Sequence, residues 1–420
     1  MNDLKTYTGS WWIPSEVEGA ESSRFVGTLT IDDDNSCLLS LHAEPTRTCS
    51  FENIAVFWGK DNRGVKYSLF DLAMKQWVVG KCIDYKIRYV ISGVHIKSLD
   101  EPYFDECHAE FPYLQNWTEA SMMAIPKDYN DCKFTIQYGK DCVYVQGDLE
   151  DGLRYRIVDR NVCHQTQKEF MAWKESQYQI VSDKPLSIRA FNNLIREFAQ
   201  FLSLALYSKQ NPSTIYYRIR KKEVAYKLIF VASPSKKPFD TALISMWTLK
   251  DRIPNYIEKY HTVYDKIETL TRYLLTSIHT SDFDAPIFIV VAQALEGYYH
   301  RFLKGTDGVS SRKWEALIDR YNNIKAVKDC NINADVLKAT RDRYSHLYIE
   351  ENPEETNVAE GADLIILTHK CKILLTCCIL EQIGMTTDEI NKSINRSVLQ
   401  YMAYNVKKYE EQQKQRVVEQ

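Results

Sequence analysis

The hydrophobic rhythm of the chain changes near residue 186. Before that point, apolar residues fall in short runs, several with a two-residue alternation. Tyr85, Ile87, Tyr89 and Ile91 are one such run, the mark of a half-buried antiparallel sheet. Segments 25–31, 54–58, 82–91, 133–138, 143–146 and 153–158 are rich in β-branched and aromatic residues, and turn formers separate them. After Leu186, Phe191, Leu194, Ile195, Phe198, Leu202 and Leu206 recur every three or four residues, predicting an amphipathic helix that ends near Asn211 and Pro212. A hairpin over 216–219 and 224–232 follows, with Arg218, Arg220, Lys221 and Lys222 at its tip, read as a solvated turn.

Beyond Thr241 the pattern stays helical. Candidate helices cover 253–277, 285–303, 312–325, 334–348 and 362–383, with a short one after Thr387. Short breakers between them imply antiparallel neighbours in a bundle. The expected fold is α+β: a β-rich, sandwich-like domain with one internal helix over 1–245, an all-α helical bundle over 246–405, and a charged tail over 406–420.

A chain of 420 residues is too long for one core, which supports that division. Residues 1–180 carry 27 acidic against 19 basic side chains, and the remainder 34 basic against 29 acidic. A mildly basic C-terminal part suits a polyanionic partner, although the excess is scattered. The eleven cysteines include no C-x-x-C pair, the N-terminus lacks a signal-peptide pattern, and apolar runs such as 287–295 and 373–383 are shorter than the ~20 residues of a membrane span. The expectation is a cytoplasmic protein with reduced thiols and no membrane contact.

Glycine-rich phosphate loops and a G-x-S-x-G elbow are absent from the sequence. His42, His95, Cys107, His108, Cys132, Cys142, Cys163 and His164 lack the paired spacings of structural zinc sites, so no metal and no cofactor are expected. Cys371, Cys377 and Cys378 lie in an apolar helix and read as small core residues. Chemistry concentrates instead in the run RDRYSHLY, which holds Arg341, Asp342 and His346. Histidine titrates near neutral pH and can move a proton, while arginine stays charged and grips phosphate oxygens. Asp342 and His346, four apart, share a helix face, so the carboxylate is a candidate to orient the imidazole or else a plain surface charge. Arg341 and His346 are five residues apart, about 140° around a regular helix. Both reach one phosphate only on a distorted helix or with half the site from a second chain. By spacing alone the pair is more often coincidence than catalysis.

The run R341-D-R-Y-S-H346 resembles the R-x4–6-H motif of the HEPN superfamily, and Tyr348 extends it to R-x4-H-x-Y. The opening GSWWIP followed by GTL resembles the N-terminal domain of ApeA-like anti-phage proteins, in the form G-x-W-W-x-P and G-T-L. QALEGYYHRF, over 293–302, resembles the helix those proteins carry before their HEPN motif, and FAQFLSLAL and LTHKCKILLTCCILEQIGM are similarly placed.

The resemblance implies a HEPN bundle that forms a homodimer, placing two motifs across one cleft. It implies a metal-independent endoribonuclease that leaves 2′,3′-cyclic phosphate and 5′-hydroxyl ends. In biology it implies abortive infection, with host RNA, tRNA among it, cut on sensing a phage-derived trigger. His346 would be the general acid or base, Arg341 the phosphate binder and Asp342 the orienter. Glu296 and His300 either line the cleft or form a structural pair. Arg301 and Arg343 are either RNA-backbone contacts or solvated surface, and Tyr344 and Tyr348 either stack a base or belong to the core. The alternative is a non-catalytic sensing protein whose bundle only dimerises or binds nucleotide. A carbohydrate platform on Trp11 and Trp12 has less behind it, since such tryptophans more often anchor a core.

Overall fold

The computed structural model describes residues 5–14, 24–42, 53–78, 82–118, 124–125, 135–136, 142–165, 170–222, 224–278, 285–303, 312–346 and 357–418. The chain divides into two compact units, one of residues 1–115, 120–196 and 211–234, the other of 116–119, 197–210 and 235–420.

In the first unit, β1 (Lys5–Trp12), β2 (Phe25–Ile31), β3 (Cys37–Leu41), β4 (Asn53–Asp61), β5 (Lys66–Val78) and β6 (Cys82–Ser92) run in the order β6-β3-β2-β1-β4-β5. Pairing of β5 with β6 closes them into a six-strand antiparallel barrel. The alternating residues point inward: Leu29, Leu39, Ile83, Tyr85, Ile87, Phe57 and Leu69 are all buried in one core with Trp11. The GSWW and GTL signatures have a steric meaning here. Trp11 is fully buried and its indole N–H donates to the Gly27 carbonyl at 3.0 Å. Gly59 faces Trp11 across the β1–β4 pair, and a Cβ there would lie 2.0 Å from the indole ring. Gly9 likewise lets the backbone of Lys60 approach to 2.2 Å from where its Cβ would be.

The sandwich-like region of the sequence is thus a closed barrel, and six more strands continue it. After β7 (Phe104–Glu110) come the short helix α1 (Leu114–Thr118) and a two-residue pair, β8 (Ala124–Ile125) with β9 (Thr135–Ile136). Then follow β10 (Cys142–Asp148), β11 (Leu153–Gln165), β12 (Phe170–Leu186), the helix α2 (Ile188–Ala205), β13 (Thr214–Ile219) and β14 (Val224–Ile229). The order β10-β11-β12-β7-β13-β14 joins the barrel where β14 pairs with β6. Of the expected strand 133–138, only Thr135–Ile136 lies within the described residues. The apolar face of this extension includes Ile157, Ile180, Cys107 and Tyr217, with Phe191 of α2 packed 6.1 Å from the Tyr217 ring. Its polar face carries Glu106 and His108, paired at 2.8 Å. The basic residues 220–222 form an exposed turn between β13 and β14.

The second unit is helical: α3 (Met246–Leu249), α4 (Ile253–Ile278), α5 (Ala285–Tyr298), α6 (Lys313–Tyr321), α7 (Lys325–Cys330), α8 (Ala334–His346), α9 (Gly361–Gln382), α10 (Thr387–Ile394) and α11 (Val398–Val418). The segment expected as one helix over 312–325 is two, because the chain turns between Tyr321 and Lys325. Helix α5 ends in a π-helical turn, Tyr299–Leu303. Helix α9 is buried on all sides from Lys370 to Leu380 and packs on α4, α5 and α11, so Cys371, Cys377 and Cys378 are core residues. The span 406–418 is helical, as the C-terminal part of α11. Among the described residues, no helix is long and apolar enough to cross a membrane.

Candidate functional site

Helix α8 starts where the Asn333 side chain accepts the backbone N–H groups of Asp335 and Val336 at 2.9 and 3.2 Å. Leu337 and Thr340 turn inward, and the Thr340 hydroxyl accepts the Ala359 N–H at 2.9 Å, tying the approach to α9 against α8. The helix is α-helical from Ala334 to His346, its last described residue. On a regular helix, positions 341 and 346 lie about 140° apart around the axis.

Arg341 sits in a cage of carboxylates. Its Nη2 donates to Glu296 Oε2 of α5 at 2.7 Å, and its Nη1 donates to Asp342 Oδ1 at 2.9 Å. The other Glu296 oxygen accepts from Lys313 at the start of α6, and His300 Nε2 lies 3.9 Å from it. The side chains of Arg341, Glu296 and Lys313 are only 17–21% exposed, so solvent screens these contacts weakly. Burial works to raise the Glu296 carboxyl, but Lys313 and Arg341 outweigh it and hold it below the ordinary carboxylate value. Burial likewise works to lower Arg341, and Asp342 and Glu296 reverse that, leaving a guanidinium charged at any working pH. Among the described residues, Arg341 Nε and the hydroxyl of Ser345, one turn along, are buried without a hydrogen-bond partner.

The structure thus brings Arg341, Asp342, Glu296 and His300 together. Arg301, on the π-helical turn, donates to the Lys266 carbonyl of α4 at 2.7 Å. Arg343 pairs with Glu360 at 2.9 Å, and the Tyr344 ring meets Phe288 of α5 edge-on at 6.5 Å. Tyr348 lies outside the described residues.

Two groups were not legible as partners in the sequence. Lys313 opens an amphipathic helix and reads as a surface lysine there. Glu381 of α9 collects Arg320 of α6 at 2.7 and 3.1 Å, Tyr298 at 2.9 Å, and Tyr321, although nothing in the chain's spacing joins these residues. A cavity of about 450 Å3 opens at the N-terminal end of α8, lined by Asn331, Asn333, Lys370, Tyr409 and Lys414 among others, and does not include Arg341. Among the described residues, no three His, Cys, Asp or Glu side chains converge as metal ligands.

Comparison with curated proteins and with solved structures gives no match. Two family models do match: ApeA N-terminal domain 1 over residues 6–262, and the Apea-like HEPN over residues 289–389. The second covers Glu296, Lys313, Arg341 and His346, and an HEPN domain of this type suggests a nuclease-like role in defence. With a buried tryptophan signature in the barrel and a carboxylate-caged arginine in the bundle, both inside the matched regions, the chain belongs to the ApeA-like family and carries a C-terminal HEPN domain.

Proposed function

We propose that the helical unit is a metal-independent endoribonuclease acting as a homodimer in abortive infection. The observation that carries this reading is the regular helix α8, with a partly buried, charge-fixed Arg341 one and a half turns before His346. Two such helices, one from each copy, supply what a single helix with a 140° offset does not: an arginine and a histidine on opposite sides of one phosphate.

In that cleft one histidine takes the proton of a ribose 2′-hydroxyl, whose oxygen attacks phosphorus. The P–O5′ bond breaks, and the leaving oxygen receives a proton from the second histidine. The products are a 2′,3′-cyclic phosphate and a 5′-hydroxyl. Arg341 neutralises the charge that builds on the non-bridging oxygens. DNA lacks the nucleophile and is spared. General acid–base chemistry contributes roughly 10²–10⁴-fold, with a comparable share from charge stabilisation.

The substrate is host RNA, with tRNA the first class to examine. The protein works in the cytoplasm, without a cofactor, and responds to a phage-derived trigger. The test is sequencing of RNA ends in infected cells carrying wild type, His346→Ala or Arg341→Ala. New 5′-hydroxyl ends should appear with wild type and fall at least about a hundredfold in either variant. Equal protection from phage by all three would end this reading.

One observation favours a second reading. Both Nη atoms of Arg341 already bind carboxylates, as in a structural ion pair. A bundle that only dimerises or binds nucleotide would show RNA or nucleotide affinity and yield no new RNA ends under any trigger.

A further inference from the structure

We propose that Lys313 is a positioning residue for Arg341, acting through Glu296. The inference rests on the ribonuclease reading and deepens it.

Glu296 bridges two cations. One carboxylate oxygen takes the Arg341 guanidinium at 2.7 Å, and the other takes the Lys313 ammonium. The lysine is itself constrained: its ammonium lies 5.0 Å from the centre of the Trp314 ring, and Trp314 is 2% exposed. The chain of contacts Lys313, Glu296, Arg341, Asp342 thus fixes both Nη atoms of the arginine. Each Nη keeps one further N–H beyond its carboxylate contact, and these are the donors left for phosphate oxygens. A guanidinium held this way meets its ligand in one orientation and has little reorganisation to do, which is the condition for charge stabilisation in a transition state.

Lys313, together with Arg341, holds the Glu296 carboxyl below its ordinary value. The groups facing Glu296 are the Lys313 ammonium from α6, the Arg341 guanidinium from α8 and the His300 imidazole from the π-helical turn, with Asp342 beyond the arginine. Burial is the largest influence on the carboxyl and acts to neutralise it, while Lys313 is the largest influence opposing that. Without the lysine, the Glu296 pKa rises and its Oε1 loses its partner, so the carboxylate is free to turn relative to Arg341.

The experiment uses full-length protein, host RNA, EDTA and extract of phage-infected cells, with initial rates measured across RNA concentration. Lys313→Met should lower kcat about tenfold with KM within about twofold, because the loss falls on the transition state. Lys313→Arg should restore most of the rate. A carbon-13 carboxyl titration should show the Glu296 pKa higher in Lys313→Met than in wild type and Lys313→Arg. An unchanged kcat in Lys313→Met beside an active wild type overturns the positioning role alone. So does an unmoved Glu296 titration. Absence of cleavage by wild type overturns the ribonuclease reading and takes this proposal with it.

Discussion

The barrel and the helical unit use their hydrogen-bonded carboxylates differently. In the barrel, Asp61 is buried, and its oxygens accept the backbone N–H groups of Arg63 and Val65 at 3.0 and 2.8 Å, the Arg63 guanidinium at 3.0 Å and the Tyr67 hydroxyl at 3.3 Å. All of its partners lie within six residues, so the carboxylate staples a turn. In the helical unit, Glu296 joins side chains from α6 and α8, and Glu381 joins α5, α6 and α9. The barrel is specified by shape, through Trp11 and the glycines that receive it. The helical unit is specified by charge brought together from distant parts of the chain. Such long-range pairs order a site only after the helices have met, whereas the Asp61 contacts form within one turn.

Three measurements press on that contrast. The largest effect belongs to shape. Gly59→Ala puts a Cβ 2.0 Å from the Trp11 ring, and with Trp11 fully buried neither group has room to yield. It should cost at least about 3 kcal/mol in chemical denaturation. A mild effect would mean that the barrel tolerates repacking and is not specified by shape.

The second concerns Lys372 of α9. Its ammonium is buried, donates to the Ser277 carbonyl at 2.5 Å, and is pushed down by burial to about 8 from 10.5. Between those two pH values the unfolded chain binds more protons than the folded one, so folding stability should rise with pH through this window. Lys372→Met should stabilise the protein at pH 7 by about 1–2 kcal/mol and abolish that rise. Destabilisation by Lys372→Met would show that buried charge in the helical unit serves the fold after all.

The smallest effect is local. Thr386 and Glu389 form a reciprocal capping box at the start of α10, and Thr386→Ala should lose about 1 kcal/mol in thermal unfolding. A loss several times larger would mean that α10 helps hold the charge network of the neighbouring helices.

How much of this was legible in the sequence follows the same division. Periodicity placed the helices well: the segment expected over 253–277 is Ile253–Ile278, and that over 362–383 is Gly361–Gln382. The strand Phe25–Ile31 is where its β-branched run lies. Strand β7, FDECHAE, gave no signal, because its outward face carries Glu106, His108 and Glu110 and its inward face holds small residues, Cys107 and Ala109. The 17 residues of β12 were equally hidden, since Gln177 and Gln179 sit where an alternation would call for a plain surface or an apolar core. Barrel closure depends on β5 pairing with β6 on one side and β4 on the other, and pairing partners are not written in the pattern of one strand. At the candidate site, family resemblance and spacing pointed to Arg341 and Glu296. Lys313 became visible only when α6 was placed, because a salt bridge across 17 residues leaves no local trace.

Strand β6 has a consequence for how the first unit comes apart. It closes the barrel against β5, pairs with β3 through Cys37↔Ile87 to Leu41↔Ile83, and passes its last turns of ladder to β14 through Val90 and Ile91. The barrel and its six-strand extension therefore share one strand as a common wall. Releasing β6 opens the barrel seam and detaches the extension in the same event, so neither half has a route to local melting through β6 that spares the other. An opening that begins at β6 therefore exposes both halves to proteases at once.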